Sequence, residues 1–237
     1  MTDPGSFSIK EMINMNKDLH NDPLWSRIDA VLFDLDGTLI DTEKYYQEAW
    51  KEAGAHFGLD LGLDKSLQLR SLGKPFARQQ FREWFGDEPD IEVVRAYRRQ
   101  LSDKLIEERG LDLKPGAAEL LTWLKNNNIR ICLVTASLLD RANKLLDKAG
   151  ILDMFDDVIS AEMVEQGKPA PDVYLHACSR LGISPERTIA VEDSPNGVKS
   201  AYRAGCNVVM VPDLTPPDEE INSMLYACAE TLGNLVG

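Results

Sequence analysis

An apolar run that stops in two carboxylates one residue apart, Val31-Leu32-Phe33-Asp34-Leu35-Asp36, is suited to gripping a cation and moving a proton. Side chains at i and i+2 of an extended segment project to the same side, so Asp34 and Asp36 can face one reaction centre while Leu35 faces the core. Gly37 then frees the backbone to turn, and Thr38 can offer its N–H or hydroxyl to an anion. Buried strands seldom end in paired acids without a positive charge to hold.

Three more pieces recur downstream. Ile131-Cys132-Leu133-Val134-Thr135-Ala136-Ser137 is a buried-strand pattern ending in a small hydroxyl residue. There the Thr135 oxygen and the following N–H groups, that of Ala136 first, can bind a phosphate oxygen; taken alone, Thr135 suits a helix cap equally well. Gly167-Lys168-Pro169-Ala170-Pro171-Asp172 frames one lysine with two prolines. Such rigidity lowers the entropy cost of aiming the ammonium. Val191-Glu192-Asp193-Ser194-Pro195-Asn196-Gly197 is again an apolar strand ending in acids, and hard oxygen ligands of this kind suit Mg²⁺.

In this order, between about Asp29 and about Val211, the four pieces resemble the haloacid dehalogenase-like hydrolases, phosphatase branch. Within them the likeness is strongest to the subgroup of β-phosphoglucomutase and small sugar-phosphate phosphatases. The resemblance implies Asp34 as a nucleophile that takes up a phosphoryl group, and Asp36 as the acid that protonates the leaving alcohol and then the base that activates water. Splitting the reaction this way makes tractable a hydrolysis that asks for as much as ~10²¹-fold acceleration. Two carboxylates about 5 Å apart repel by roughly 3 kcal/mol at an effective dielectric near 20, about two pK units, which helps keep Asp36 protonated while a cation pins Asp34 ionised. By the same resemblance Lys168 screens Asp34 and the phosphoryl group. Asp193 is implied as a direct Mg²⁺ ligand beside Asp34, Glu192 acts through water or from behind, and Asp36 adds its backbone carbonyl. Removal of Lys168 is expected to abolish turnover while sparing stability.

The reaction expected is Mg²⁺-dependent hydrolysis of a small phosphorylated metabolite, a sugar phosphate, with Tyr46, Trp50, Lys74 and Arg78 as contacts from an inserted segment. Mutase activity is the alternative. The mutase carries a histidine twelve residues after the nucleophile, where this chain has Tyr46, and an arginine three residues after a loop glycine, where Gly73 is followed by Phe76. Arg78 could stand in if the loop is shifted. Phosphonoacetaldehyde hydrolysis would need a Schiff-base lysine such as Lys44 or Lys51, and dehalogenation would not need Asp36. A non-catalytic phosphometabolite-binding module is the reading from another class.

Several elements must position these residues. Apolar strands at Ala30–Phe33, Ile129–Val134, Val158–Ile159, Thr188–Val191 and Val208–Val211 alternate with helical patterns, the form of a parallel sheet covered on both faces. Pro115-Gly116-Ala117 opens one helix, Ser137 can cap the next, and Ser194-Pro195 starts another. From Glu43 to Gly110 helical periodicity takes over: Tyr46, Ala49, Trp50, Ala53 and Phe57 form one face, and Ile91, Val94, Leu101 and Leu105 another. The aromatic members read as small-domain core. The fold class is therefore α/β: a Rossmann-like, doubly wound parallel sheet from residues 28–42 and 113–237, with an all-helical cap at 43–112 and hinges near 41–43 and 112–115. Residues 1–27 form an extension in which Ile9, Met12, Ile13 and Met15 suit one short amphipathic helix or a partly ordered tail.

A chain of 237 residues, 43% hydrophobic and 27% charged, can bury a full core. Its net charge of −13 opposes nucleic acid and anionic membranes as partners. An acidic protein that handles phosphate must reverse its field locally, and a divalent cation with one lysine is the expected device. Cys132, Cys178, Cys206 and Cys228 form no C-x-x-C pair, and His20, His56 and His176 are scattered, so reduced core thiols are expected and zinc is not. With neither an apolar span nor a signal-like start, a cytoplasmic monomer acting on a small phosphorylated metabolite is expected.

Overall fold

Strand β1 (Ala30–Phe33) is buried along its whole length because it lies inside a six-stranded sheet with helices on both faces. A computed structural model describes residue 19 and residues 22–236. The helix considered around Ile9 to Met15 lies outside them. The other strands are β2 (Arg130–Thr135), β3 (Asp157–Ser160), β4 (Thr188–Glu192), β5 (Asn207–Met210) and β6 (Ala227–Cys228). All pair parallel in the order β3-β2-β1-β4-β5-β6. The five expected strands are β1 to β5, each end within one residue of expectation. Two-residue β6 is too short to show a period.

Alternation along the strands divides the core. Val31, Phe33, Ile131, Leu133, Ile189 and Val191 pack under α5 (Ala117–Asn126) and α6 (Leu139–Lys148). Leu32, Cys132, Val134, Ala190 and Val208 pack under α7 (Asp172–Leu181) and α8 (Pro195–Ala204). Such parallel strands are buried on both faces and read as unbroken apolar runs. In register, Phe33 lies opposite both Leu133 and Val191, so the residues that follow all three strands share one edge. The strand order reverses around β1, and crevices at the carboxyl ends beside such a reversal are where sheets of this kind bind ligands.

Between β1 and α5 the chain makes four helices: α1 (Glu43–Phe57), α2 (Leu63–Gln68), α3 (Lys74–Phe85) and α4 (Ile91–Arg109). They have their own small core, with Tyr46, Trp50, Ala53, Leu69, Phe81 and Val94 among its members. The two connections to this cap are tied together. Ile40 and Leu113 form an antiparallel bridge, Asp41 N–H donates to Asp112 O at 2.9 Å, and Lys114 N–H donates to Leu39 O at 2.9 Å.

Two local expectations need correction. α5 begins at Ala117, with Gly116 before it in a left-handed conformation at φ 84° and its Cα side against the backbone of Gly233. The buried residues of α4 are Ile91, Val94, Ser102 and Ile106, so its inward stripe runs through Arg98 and leaves Leu101 and Leu105 only half-buried. The four cysteines are free thiols. Among the described residues no helix is long and apolar enough to cross a membrane.

Candidate active site

Asp34 directly follows β1, and its N–H still reaches Val191 O at 3.0 Å, so the strand ladder itself aims the side chain. The carboxylate is 2% exposed. Lys168, with no exposed surface, places its Nζ 2.6 Å from Asp34 Oδ1, 2.6 Å from Glu192 Oε1 and 3.0 Å from Val134 O. Burial alone would lower the lysine's pKa, but Asp34 and Glu192 outweigh it and hold the ammonium charged. The loop carrying Lys168 is fixed from below, where Ser200 Oγ donates to Ala170 O and Arg203 Nη1 donates to Pro169 O. From above it meets the cap: Gly73 N–H donates to Lys168 O at 2.7 Å, and a Cβ on Gly73 would stand 2.8 Å from the Gly167 backbone.

Asp193, the residue after β4, completes an acidic cluster. One oxygen each from Asp34, Glu192 and Asp193 lie within 4.8 Å of one another, all three residues buried. Asp34 Oδ2, Glu192 Oε2 and both Asp193 oxygens have no hydrogen-bond partner, although Arg70 Nη1 stands 3.5 Å from Asp193 Oδ2. Desolvation pushes Asp34 up to about 8 and Asp193 well above the usual carboxylate range; Lys168 opposes the shift at Asp34 and Arg70 opposes it at Asp193. Uncompensated buried carboxylates are costly, and these are hard oxygen donors with free lone pairs, a donor set that fits a divalent cation of the Mg²⁺ type. Gly37, at φ 86°, leaves them room: a Cβ there would sit 2.2 Å from Asp193 Oδ2. Thr38 is fully buried behind it, its Oγ1 without a partner.

Asp36 sits differently. Its Oδ1 accepts hydroxyls from Thr42 at 2.8 Å and Tyr46 at 2.5 Å, and its Oδ2 accepts Ser137 Oγ at 2.7 Å. Ser137, expected as a helix cap, therefore spends its hydroxyl on Asp36, and α6 opens one residue later from Leu138 without a side-chain cap. Thr135 Oγ1 accepts the Ser137 N–H at 3.0 Å, which shapes the turn after β2. The burial penalty at this site falls on Asp34, which lies at its closed end, and it is this carboxylate that a cation is expected to hold ionised.

A cavity of about 230 Å³ separates the strand tips from the cap. Asp34, Asp36, Tyr46, Lys74, Thr135 and Ala136 line it, while Gly37, Thr38, Lys168, Glu192 and Asp193 stand outside that lining. Arg78 does not join them: its side chain is 58% exposed and pairs with Asp90 at 3.6 Å, because the buried face of α3 carries Ala77 and Phe81. Trp50 and Tyr46 belong to the cap core and to the cavity wall at once.

Other wall residues escaped the sequence reading. Arg70 Nη2 donates to Asp193 O at 3.0 Å, and Asn196 Nδ2 returns a bond to Arg70 O, so the end of α2 is latched to the β4 loop. Arg141, in the first turn of α6, donates through Nη1 to the Tyr46 hydroxyl at 2.5 Å and through Nε and Nη2 to Asp103. Arg98 stacks on Tyr46 and Trp50. Glu43, 3% exposed, is pushed up to about 7 by desolvation, with Arg70 opposing the shift. A charge inside the apolar stripe of α4 was a usable sign for Arg98, whereas nothing local marks Arg70 or Arg141.

The family model described as haloacid dehalogenase-like hydrolase matches residues 28–205. Protein CbbY of Cereibacter sphaeroides is 32% identical over 222 residues, covering 89% of this chain and 96% of that protein. Hexitol phosphatase A of Escherichia coli is 32% identical over 203 residues, 85% of this chain and 92% of its own length. Among solved structures, β-phosphoglucomutase from Clostridium difficile superposes with a TM-score of 0.75 at 26% identity, covering 88% of this chain and 93% of that one.

Proposed function

The chain belongs to the haloacid dehalogenase-like hydrolases, and we propose that it hydrolyses the phosphate monoester of a small sugar or polyol, with Mg²⁺, through an aspartyl-phosphate on Asp34. The observation that carries this reading is the division of labour between the two acids: Asp34 is buried against Lys168, and Asp36 faces the cavity under three hydroxyl donors. A binding module has no use for the second arrangement.

Asp34 attacks phosphorus in line with the ester oxygen. As that P–O bond breaks, Asp36 delivers a proton to the departing alkoxide; it then takes one from the water that opens the aspartyl-phosphate, and both carboxylates return to their starting states. Lys168 stays charged throughout and offsets the negative charge that gathers on Asp34 and the phosphoryl oxygens. The Thr135 hydroxyl and the N–H groups of Ala136 and Thr38 are donors for those oxygens. Asp34, Asp193 and Glu192 would hold the divalent cation, with the Asp36 carbonyl as a further donor. When bound, it supplies charge neutralisation that lets Asp34 ionise and polarises the phosphoryl group.

The relatives that act on hexitol phosphates and the likeness to a β-phosphoglucomutase support a phosphorylated sugar or polyol as the ligand class. The Tyr46 hydroxyl on Asp36, where the mutase has histidine, favours hydrolysis over transfer. The test is phosphate release from p-nitrophenyl phosphate and a panel of sugar and polyol phosphates, with Mg²⁺, with EDTA and in Asp34→Asn. Release that needs both Mg²⁺ and Asp34 is expected. Isomerisation of a sugar phosphate without release would establish the mutase, and silence across the panel would leave the binding module.

A further inference from the structure

Tyr174 is the largest fully buried side chain among the described residues, and it stands behind the site, outside the cavity lining. A phenylalanine would fill the same space, and a hydroxyl taken out of water costs free energy unless it finds a partner. This one has a partner: Tyr174 Oη donates to Glu192 Oε1 at 2.5 Å. The same oxygen lies 2.6 Å from Lys168 Nζ, and that ammonium stands 5.4 Å from the centroid of the Tyr174 ring. Both donors fall on Oε1, while Glu192 Oε2 has no hydrogen-bond partner. An ammonium is a point charge with rotating donors, whereas a phenol presents one hydrogen from a rigid ring. The two donors share one stretch of chain. Tyr174 lies six residues after Lys168, across both prolines and in the first turn of α7, and its N–H donates to Pro171 O at 3.1 Å. Glu192 ends β4, and its carboxylate lies against Gly197 in α8, where a Cβ would collide with it. The carboxylate therefore occupies a socket shaped by α7, the lysine loop and α8.

We propose that Tyr174 is a positioning residue: its hydroxyl, together with the gap at Gly197, holds Glu192 in the orientation that a divalent cation requires. The inference rests on the reading that Asp34, Glu192 and Asp193 hold the cation, and it adds a residue that reading does not use. The hydroxyl does two things that a phenylalanine could not. It engages Oε1 and so fixes the carboxylate while the lone pairs of Oε2 stay free. It also takes a share of the Glu192 charge, so Lys168 is divided evenly, 2.6 Å from Glu192 and 2.6 Å from Asp34. Partners that stand behind a metal ligand set its direction, and removing one typically costs roughly 10- to 100-fold in metal affinity.

The experiment measures Mg²⁺ affinity of the full chain with no ester present, by calorimetry and by the rise of Tm during a Mg²⁺ titration. Tyr174→Phe is expected to raise the Kd for Mg²⁺ roughly 10- to 100-fold. At saturating Mg²⁺ its kcat on p-nitrophenyl phosphate is expected to return close to the wild-type value, because the hydroxyl touches no reacting atom. A role in packing alone would lower Tm in EDTA and leave the Kd unchanged, and that result would overturn the proposal. In a Glu192→Gln background Tyr174→Phe is expected to cost no further affinity, since the hydroxyl acts through that carboxylate; an undiminished loss there would also overturn it. If Tyr174→Phe fails to fold, Gly197→Ala, which crowds the same carboxylate, must show the weakened Mg²⁺ binding, and an unchanged Kd in that variant would overturn the socket. A wild type that binds no Mg²⁺ would bring down the metal reading and the positioning role together, whereas equal binding by wild type and Tyr174→Phe would bring down the positioning role alone.

Discussion

The Tyr46 hydroxyl lies 2.5 Å from Asp36 Oδ1, so the carboxylate that handles protons is oriented from the cap as well as from its own turn. Thr42 and Ser137 supply the other two contacts, one from the start of the cap and one from the edge of the sheet. Tyr46→Phe is expected to lower kcat on an alkyl phosphate by roughly 10- to 100-fold, part of what a well-placed general acid contributes. On p-nitrophenyl phosphate, whose leaving group needs no proton, the loss is expected to be smaller. Equal losses on the two esters would show that the hydroxyl does not serve Asp36.

The sequence suggested that Lys168 is separable from stability, and its complete burial between Asp34 and Glu192 argues for the opposite outcome. Lys168→Met is expected to lose turnover by orders of magnitude and also about 3–5 kcal/mol of stability at pH 8, because the partner charges are left buried and unpaired. The loss should shrink at pH 5. Asp34 is already held at about 8 by burial, and without the lysine that opposes this shift it folds best protonated. Urea titrations at the two pH values measure the difference; unchanged stability at pH 8 would contradict the buried pairing.

The unpartnered oxygens of Asp34, Glu192 and Asp193 make cation binding visible without any turnover. Saturating Mg²⁺, at about 100 times its dissociation constant, is expected to add about 2.7 kcal/mol, or roughly 5 to 10 °C in Tm for a chain of this size. Asp193→Asn should abolish the rise. In EDTA the same variant should melt above the wild type at neutral pH, since burial outweighs Arg70 and makes that carboxyl costly to keep in the folded state. A wild type whose Tm is the same in Mg²⁺ and in EDTA would remove the metal site.

Glu43 gives a pH dependence with a definite sign. Its folded pKa is raised to about 7 by desolvation, so between about 4.5 and 7 the folded state holds a proton that the unfolded state has released. Stability linked to this group is therefore complete at low pH and declines as pH rises through that window, by about 3 kcal/mol in all. Glu43→Gln keeps the neutral shape and should flatten the decline. Stability curves from pH 5 to pH 8 for both proteins provide the check, and parallel curves would refute the assignment.

Residues at the ends of apolar strands were legible in the sequence, since Asp34, Thr135 and Glu192 stand where an unbroken run stops, and the register of β1 with β2 and β4 brings those ends together. Lys168 was legible through its prolines. Residues on helices were less so. Arg98 continues the stripe Ile91, Val94, Ser102, Ile106, but a charge inside an apolar stripe is easily assigned to the solvent side. Arg78 follows Ala77 by one position and turns away from the buried face, a difference of about 100° that composition cannot reveal. Arg141 depends on Asp103, a partner 38 residues away in the cap, which no local pattern connects to it.

The touching main chains of Gly73 and Gly167 join two events that could have been separate. No side chain cushions that seam, so if the helical insert lifts to admit a ligand, the bond onto the carbonyl of Lys168 must part along with those that tie Arg70 to the end of β4. Gate and ammonium then meet at one seam, so an insert that lifts also frees, on its upper side, the loop that carries the charge beside the nucleophile.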